Sequence, residues 1–139
     1  MQSYATTTGT LKDCTPPPFV PTIASRTADL EALSTAHQNA GVYVTPSGAT
    51  SPHLFATDDA SQGKILTAFT AAKEGMWVDG SVWKCADGTF VAMTAADVIT
   101  LAQTAQVYIQ KCYANEAVLQ QALQTDLNTD LTVGWPSNK

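Results

Sequence analysis

Residues 95–131 contain neither glycine nor proline, and this uninterrupted stretch constrains the fold more than any other feature of the 139-residue chain. The stretch is rich in Ala, Gln, Leu and Glu, which favour helix. Thr94 precedes it with a hydroxyl that can accept amide hydrogen bonds, and Asp97 places negative charge near the helix start. The sequence therefore predicts a helix that begins at about Ala95 and continues for about thirty residues, roughly 45 Å.

One face of this predicted helix carries an apolar stripe with alternating spacings of three and four residues, which a single polar residue, Asn115, interrupts. Such a stripe packs either on its own domain or in a homotypic helical bundle, where Asn115 would set the register. In the bundle, the partner-binding residues would be Leu101, Tyr108, Asn115 and Leu119. The whole stripe consists of Val98, Leu101, Ala105, Tyr108, Cys112, Asn115 and Leu119.

A β-hairpin is predicted immediately before the long helix. Asp87-Gly88 lies between two apolar runs, and a two-residue Asp-Gly loop suits a type I′ turn. This register pairs Cys85 with Phe90 and Trp83 with Ala92 on one side of the hairpin. The other side then carries Val82, Lys84, Val91 and Met93.

The folded part of the chain is predicted to begin with a short amphipathic helix. Ser25 is its expected N-cap, and Gly41 suits a left-handed conformation at its C-terminal end. Two strand-like segments at 42–45 and 53–56 follow, and the Pro- and Gly-containing segment between them predicts a hairpin with a longer loop.

A second helix is expected to be capped by Thr57 or Asp58, to have an acidic first turn, and to be closed by Gly75. Near the end of the chain, Trp135 is predicted to pack as a hydrophobic peg, because an exposed Trp is costly. The predicted fold class is therefore α+β, with small antiparallel β-hairpins, two shorter helices and a long C-terminal helix, preceded by an extended N-terminal arm.

Residues 1–24 are rich in Thr and Pro and show no periodicity at 2 or 3.6 residues. Proline fixes φ and removes amide donors, so we predict an extended docking arm over 1–24 and a folded domain over 25–139. The sequence from Pro18 to Pro21 also matches a PxxP ligand pattern, but a strap along a neighbouring subunit is the favoured interpretation. The expected partner-binding residues of the arm are Tyr4, Leu11, Pro18, Phe19 and Val20.

Charge and hydropathy exclude several classes of partner. The net charge is −5 and the seven Lys and Arg residues are scattered, so the basic surface of a nucleic-acid-binding protein is missing. Anionic membrane surfaces are unfavourable partners for the same reason. The sequence has no membrane-spanning run and no signal peptide. We therefore expect synthesis in a cytoplasm and no membrane insertion.

The cysteines and histidines do not form a recognisable metal or catalytic pattern. Cys14, Cys85 and Cys112 match no zinc spacing and no CxxC motif, and we interpret them as free thiols. His37 lies near a predicted helix end and His53 beside a proline, so a paired role in catalysis is not indicated.

Motifs for hydrolase, phosphate-binding and dinucleotide-binding sites are also missing from the sequence. Asp58 and Asp59 are better explained by helix capping, and Asp79 and Asp87 precede glycine in turns, where aspartate is common. We therefore expect a protein that is not an enzyme and that has no metal or other cofactor.

Four segments together carry a family resemblance: AHQNAGV at 36–42, TDDASQ at 57–62, WKCADGTFVAMTAADV at 83–98 and GWP at 134–136. The chain from about Ser25 onward resembles a domain of unknown function that occurs in tail-fibre and tail-fibre-assembly proteins of tailed bacteriophages. The most specific part is the pattern WK-x-x-DG-x-x-V-x-x-TAAD. The resemblance implies a phage context and a role in binding or assembly.

Three functions follow as expectations. The first is a noncatalytic structural protein of the phage tail or tail fibre, located in the virion and contacting other tail or fibre proteins and copies of itself. The second is a fibre-assembly chaperone that is absent from the mature particle. The third is a receptor- or glycan-binding module with Tyr43 and Trp77 on its binding surface, and with Trp83 as a further aromatic candidate.

Overall fold

The computed structural model describes residues 19–139, and the predicted positions Tyr4, Leu11, Cys14 and Pro18 lie outside this range. The described chain is an α+β fold with a long C-terminal helix, which confirms the predicted fold class. Its elements in chain order are α1 (Ile23–Gln38), β1 (Val42–Val44), β2 (His53–Phe55), α2 (Asp59–Lys73), β3 (Ser81–Lys84), β4 (Phe90–Met93) and α3 (Ala95–Leu123).

Helix α3 begins where the sequence predicts, because a capping box fixes its first turn. The Thr94 hydroxyl accepts from the Asp97 amide at 3.1 Å, and the Asp97 carboxylate accepts from the Thr94 amide at 2.9 Å. The helix has 29 residues, about 43 Å. Beyond it, Asp126 accepts from the Asn128 amide at 2.9 Å, so local side-chain bonds compete with further helix.

Helix α1 begins three residues earlier than predicted. Its N-cap is Thr22, whose hydroxyl accepts from the Ser25 amide at 3.1 Å, while the Ser25 hydroxyl accepts from the Thr22 amide at 2.9 Å. Ser25 is therefore the reciprocal partner inside a capping box rather than the cap itself. The predicted left-handed glycine after α1 is confirmed, because Gly41 has φ +83°.

The register of the β3–β4 hairpin differs by one residue from the prediction. Trp83 pairs with Val91, and Lys84 pairs with Phe90. The loop has three residues rather than two: the Cys85 amide donates to the Thr89 carbonyl at 2.7 Å, and Gly88 takes φ +88°. This is the three-residue hairpin with a glycine bulge.

The shift of one residue exchanges the two faces of β4. The predicted partners of Cys85 and Trp83, namely Phe90 and Ala92, lie on the solvent side. The buried side carries Trp83, Cys85, Val91 and Met93.

Helix α1 runs antiparallel to α3 along its C-terminal half. Arg26 in the first turn of α1 donates to the carbonyls of Leu127 at 3.0 Å and Thr129 at 2.7 Å, just beyond the end of α3. At the other end of α1, the Tyr108 hydroxyl donates to the His37 carbonyl. These contacts place the start of α1 at the C-terminal end of the long helix.

Buried Thr57 joins α1 to the segment that leads into α2. Its hydroxyl donates to the Gln38 carbonyl and accepts from the Gly41 amide at 3.0 Å. Helix α2 then packs on the N-terminal half of α3 through Ile65, Ala68 and Ala72.

Two antiparallel strand pairs, β1–β2 and β3–β4, complete the fold of the described residues. The backbone amide of Ala86 donates to the Leu54 carbonyl at 2.9 Å and links the two pairs. Phe55 and Met93 are fully buried and attach the strands to the core. Within residues 19–139, no helix combines the length and the hydropathy needed to span a bilayer.

The core consists of two clusters along α3. The larger lies between α2, α3 and the strands and includes Phe55, Val98, Leu101 and Cys112. The smaller contains four leucines from α1, α3 and the C-terminal segment: Leu30, Leu119, Leu123 and Leu131.

The C-terminal tail is packed, as predicted for Trp135. This indole contacts both core clusters, stacks on His37 with ring centroids 4.6 Å apart, and donates from Nε1 to the Leu131 carbonyl at 2.8 Å. Further on, the Tyr43 amide of β1 donates to the Asn138 carbonyl at 2.9 Å. The tail therefore runs from the small cluster to the edge of β1.

Candidate interaction surfaces

The described chain begins with two solvent-exposed apolar side chains from the predicted arm. Phe19 is 77% exposed and Val20 is 72% exposed, although both are large and apolar. Three residues farther on, the capped helix α1 is in place. The folded body of the same chain therefore leaves both side chains available to another molecule.

The apolar stripe of α3 packs inside its own domain. Leu101, Tyr108 and Leu119 are each at most 5% exposed, so a partner cannot reach them in this fold. Asn115 donates from Nδ2 to the Val133 carbonyl at 2.9 Å and lies directly against Gly134, where a Cβ would displace the Asn115 side chain. Asn115 thus fastens the C-terminal tail, a role that the sequence-based bundle interpretation did not include.

A groove between α2 and α3 is the most apolar surface cavity described, with a volume of about 550 Å³. Leu66 is 64% exposed and Val107 is 53% exposed at this groove, and Phe69 lies half-buried within it. The polar side chains of its lining are the uncharged amides of Gln62, Gln103 and Gln106. The groove can therefore receive apolar side chains without burial of a charged group.

The sequence analysis did not identify this groove, although a signal exists. The apolar residues of α2 cover more of the helix than one core face requires. Ile65, Ala68 and Ala72 fill the core, whereas Leu66 and Phe69 remain at the groove. An apolar stripe that is too wide for one buried face indicates a second contact surface.

A second apolar surface lies on the solvent side of the β3–β4 hairpin. Val82 of β3 and Phe90 of β4 are each 63% exposed. They are diagonal neighbours, because Val82 pairs with Ala92 and Phe90 pairs with Lys84. Lys84 and Ala92 are exposed on the same face. Unlike the groove lining, this face carries a charged side chain, Lys84.

The aromatic residues proposed for receptor binding lie in two different settings. Trp77 is half-buried against Trp83, with ring centroids 6.3 Å apart, and donates from Nε1 to the Met93 carbonyl at 3.0 Å. Tyr43 lines a shallow groove together with the tail, where Nζ of Lys139 lies 5.7 Å from its ring centroid. Trp77 and Trp83 therefore pack against the core, and Tyr43 is half-buried beside the tail.

The carboxylates with altered pKa serve turns and helix ends. Hydrogen bonds from the Ser61, Thr89 and Thr132 hydroxyls lower the pKa of Asp58, Asp87 and Asp130, respectively. Burial raises the pKa of Asp97, but hydrogen bonds from Ser47 and Thr94 outweigh this effect and leave the pKa below its usual value. Ser47 donates from both its amide and its hydroxyl, at 3.0 and 2.6 Å.

The buried thiols and the buried phenol are held in their neutral forms. Burial raises the pKa of Cys85 and of Cys112, which disfavours the nucleophilic thiolate. Burial also raises the pKa of Tyr108 to about 12. His37 is stacked on Trp135 at the end of α1. Over residues 19–139, His, Cys, Asp and Glu side chains form no cluster able to hold a metal ion.

Comparison with known proteins gives one match. The model of a family described as a domain of unknown function, DUF4376, matches residues 22–133. This range begins at the α1 cap and includes every helix and strand described above. Neither the curated proteins nor the solved structures give a match.

Proposed function

We propose that this chain, which belongs to the DUF4376 family through residues 22–133, is a noncatalytic structural protein of a bacteriophage tail or tail fibre. Its role would be in virion assembly or in attachment of the fibre. The observation that carries this proposal is a contrast between two sets of side chains. Carboxylates such as Asp97 and Asp87 form hydrogen bonds within the fold, whereas large apolar side chains are exposed at the groove and the arm.

The internal use of polar chemistry is specific. Asp97 binds Thr94 and Ser47 and so ties α3 to the β1–β2 loop. Asp87 accepts from the Thr89 amide and shapes the hairpin turn. These carboxylates therefore serve the local structure of the fold.

The exposed apolar side chains supply the opposite kind of surface. Phe19, Val20, Leu66 and Val107 are each more than half exposed. Only 14% of the chain is charged, so a large contact requires little desolvation of charge. Together these properties support permanent contacts with neighbouring proteins.

The phage context of the proposal comes from the resemblance of residues 36–42, 57–62, 83–98 and 134–136 to domains of tail-fibre and tail-fibre-assembly proteins. The partners would be other tail or fibre proteins and copies of this chain. The site of action would be the virion tail, after synthesis in the cytoplasm of the host bacterium.

Quantitative mass spectrometry of purified phage particles tests the proposal. A structural protein should be present at a fixed ratio to known tail proteins, and the ratio should persist after high-salt washing of the particles. A chain that is abundant in the lysate but absent from particles would instead be an assembly chaperone, which would overturn the structural proposal.

A binding assay tests the receptor alternative, which the position of half-buried Tyr43 in the lining of a surface groove favours. The full chain would be incubated with host cells and with isolated envelope glycans, beside a Tyr43→Ala variant. Retention that depends on Tyr43 would establish a receptor-binding role. Equal, background-level retention of both proteins would remove this alternative.

A further inference from the structure

We infer that the α2–α3 groove receives the N-terminal arm, residues 1–20, of a second copy of this chain, so that copies join head to tail. This inference rests on the proposed function and adds the partner and the contact to it. The groove lies between residues 62–69 of α2 and 102–109 of α3.

The groove and the arm match in polarity. Apolar side chains and uncharged Gln amides line the groove. Residues 1–18 contain one lysine, Lys12, and one aspartate, Asp13, so this segment has no net charge. Its apolar members and the exposed Phe19 and Val20 supply the side chains that a groove of about 550 Å³ can bury.

The start of the arm and the groove lie apart on the same body. The arm joins α1 at Thr22, beside the C-terminal end of α3, because Arg26 binds the carbonyls of Leu127 and Thr129. The groove lies in the N-terminal half of α3, roughly 25 Å away at about 1.5 Å per helical residue.

The sequence next to the exit point opposes a reversal of the chain. Prolines at 16, 17, 18 and 21 favour extended polyproline II backbone, which is stiff over several residues. Phe19 and Val20 lie within this segment and remain exposed on the described body. The stiffness of this proline-rich sequence makes a sharp return to the arm's own groove unfavourable, and insertion into the groove of a neighbour needs no such turn.

A head-to-tail contact has a consequence for assembly. The donor surface and the acceptor surface are different parts of the chain, so a contact in which one copy donates its arm and the next accepts it is heterologous. Each copy can donate its arm to one neighbour and accept the arm of another. Such contacts close into a ring or continue along an axis.

Complementary variants test the inference by sedimentation velocity of the full chain. One variant lacks residues 1–20 and keeps the Thr22–Ser25 capping box, so α1 retains its start. The other carries Leu66→Asp and Val107→Asp, at positions that are 64% and 53% exposed. The matched control is Val118→Asp, which is 64% exposed on α3 outside the groove.

The expected result is self-association of wild type and of the Val118→Asp control, and at least tenfold weaker self-association of each complementary variant alone. A mixture of the two variants should form a 1:1 heterodimer, because one supplies the arm and the other supplies the groove. Circular dichroism spectra identical to wild type establish that each variant is folded.

Three results would overturn the inference. They are monomeric wild type at millimolar concentration, unchanged self-association of the variant that lacks residues 1–20, and a mixture that forms no heterodimer. A monomer whose arm resists proteolysis only while Leu66 and Val107 are intact would place the arm in its own groove. If the copies do not associate in this way while particles contain the chain at fixed ratio, the inference fails and the structural role stands.

Discussion

Alanine substitutions at three glycines separate backbone strain from steric crowding. Gly41 has φ +83°, and a Cβ there would lie 2.7 Å from the Phe55 carbonyl oxygen and 2.9 Å from Leu54 Cδ1. Gly75 has φ +73°, but its Cβ would meet no atom within 4 Å. Gly63 lies inside α2 with equally open space. Gly41→Ala therefore combines backbone strain with crowding. Gly75→Ala introduces strain alone, and Gly63→Ala introduces neither.

We expect Gly41→Ala to lower the free energy of unfolding by about 2–5 kcal/mol. Left-handed backbone costs a residue with a Cβ about 1–2 kcal/mol, and overpacking adds about 1–3 kcal/mol. Gly75→Ala should lower the free energy of unfolding only by the cost of left-handed backbone, about 1–2 kcal/mol. Gly63→Ala should raise the free energy of unfolding by about 0.5–1 kcal/mol, because alanine is favoured over glycine inside a helix.

Urea denaturation followed by far-ultraviolet circular dichroism measures these differences as shifts in midpoint at constant slope. The expected order of stability, from highest to lowest, is Gly63→Ala, wild type, Gly75→Ala and Gly41→Ala. The reasoning is refuted if Gly41→Ala is as stable as Gly75→Ala, because the close approach of Gly41 to β2 would then not constrain the fold.

Three further predictions concern buried polar groups. Thr57→Val should cost about 1–3 kcal/mol of stability in urea denaturation, because it leaves the buried Gly41 amide and the partly buried Gln38 carbonyl without their partner. Thr67→Val on the exposed face of α2 should change stability by less than about 0.5 kcal/mol. The pKa of Asp97 is lower in the folded protein than in the unfolded chain, where it is about 3.9. The contribution of Asp97 to the stability of the fold is therefore present above the unfolded pKa and is lost as the pH falls through the lower folded pKa. The stability deficit of Asp97→Asn should accordingly be largest near neutral pH and shrink below about pH 4, and a pH-independent deficit would contradict this. Cys85 and Cys112 should react with a thiol reagent at least about a hundredfold more slowly in native protein than in urea, since both thiols are buried with raised pKa, and equal rates would contradict their placement.

Local capping signals predicted α3 well, because the information lies within four consecutive residues. Thr94 and Asp97 bind each other's backbone amides, and this arrangement depends little on the rest of the fold. The start of α1 was harder to predict, since Thr22 and Ser25 both have capping side chains. Only the folded backbone distinguishes the cap from its partner.

The hairpin register shows what local sequence cannot decide. A two-residue loop and a three-residue loop both place Gly88 at a positive φ, so the Asp-Gly signal is compatible with either. The buried positions of Val91 and Met93 against the core select the longer loop. The choice is made by tertiary packing, which also leaves Phe90 in solvent.

The candidate surfaces were only partly accessible to sequence reasoning. The exposed state of Phe19 and Val20 agrees with an arm that leaves the body, but their binding role stays a prediction. The groove was missed because the width of the apolar surface of α2, which includes Leu66 and Phe69 as well as the core residues, was not considered. The role of Asn115 was missed because its partner, Val133, lies beyond the end of α3.

The division of the core into two clusters has a consequence for how the molecule opens. The cluster of Leu30, Leu119, Leu123 and Leu131 is small, and Trp135 packs against both it and the larger cluster. Local unfolding of α1 with the end of α3 therefore requires far less loss of apolar contact than global unfolding. Backbone amides near Leu119 should exchange with deuterium at a lower opening free energy than those near Leu101. The Trp135 indole, the Thr57 hydroxyl and the Tyr108 hydroxyl are contacts that couple the two halves.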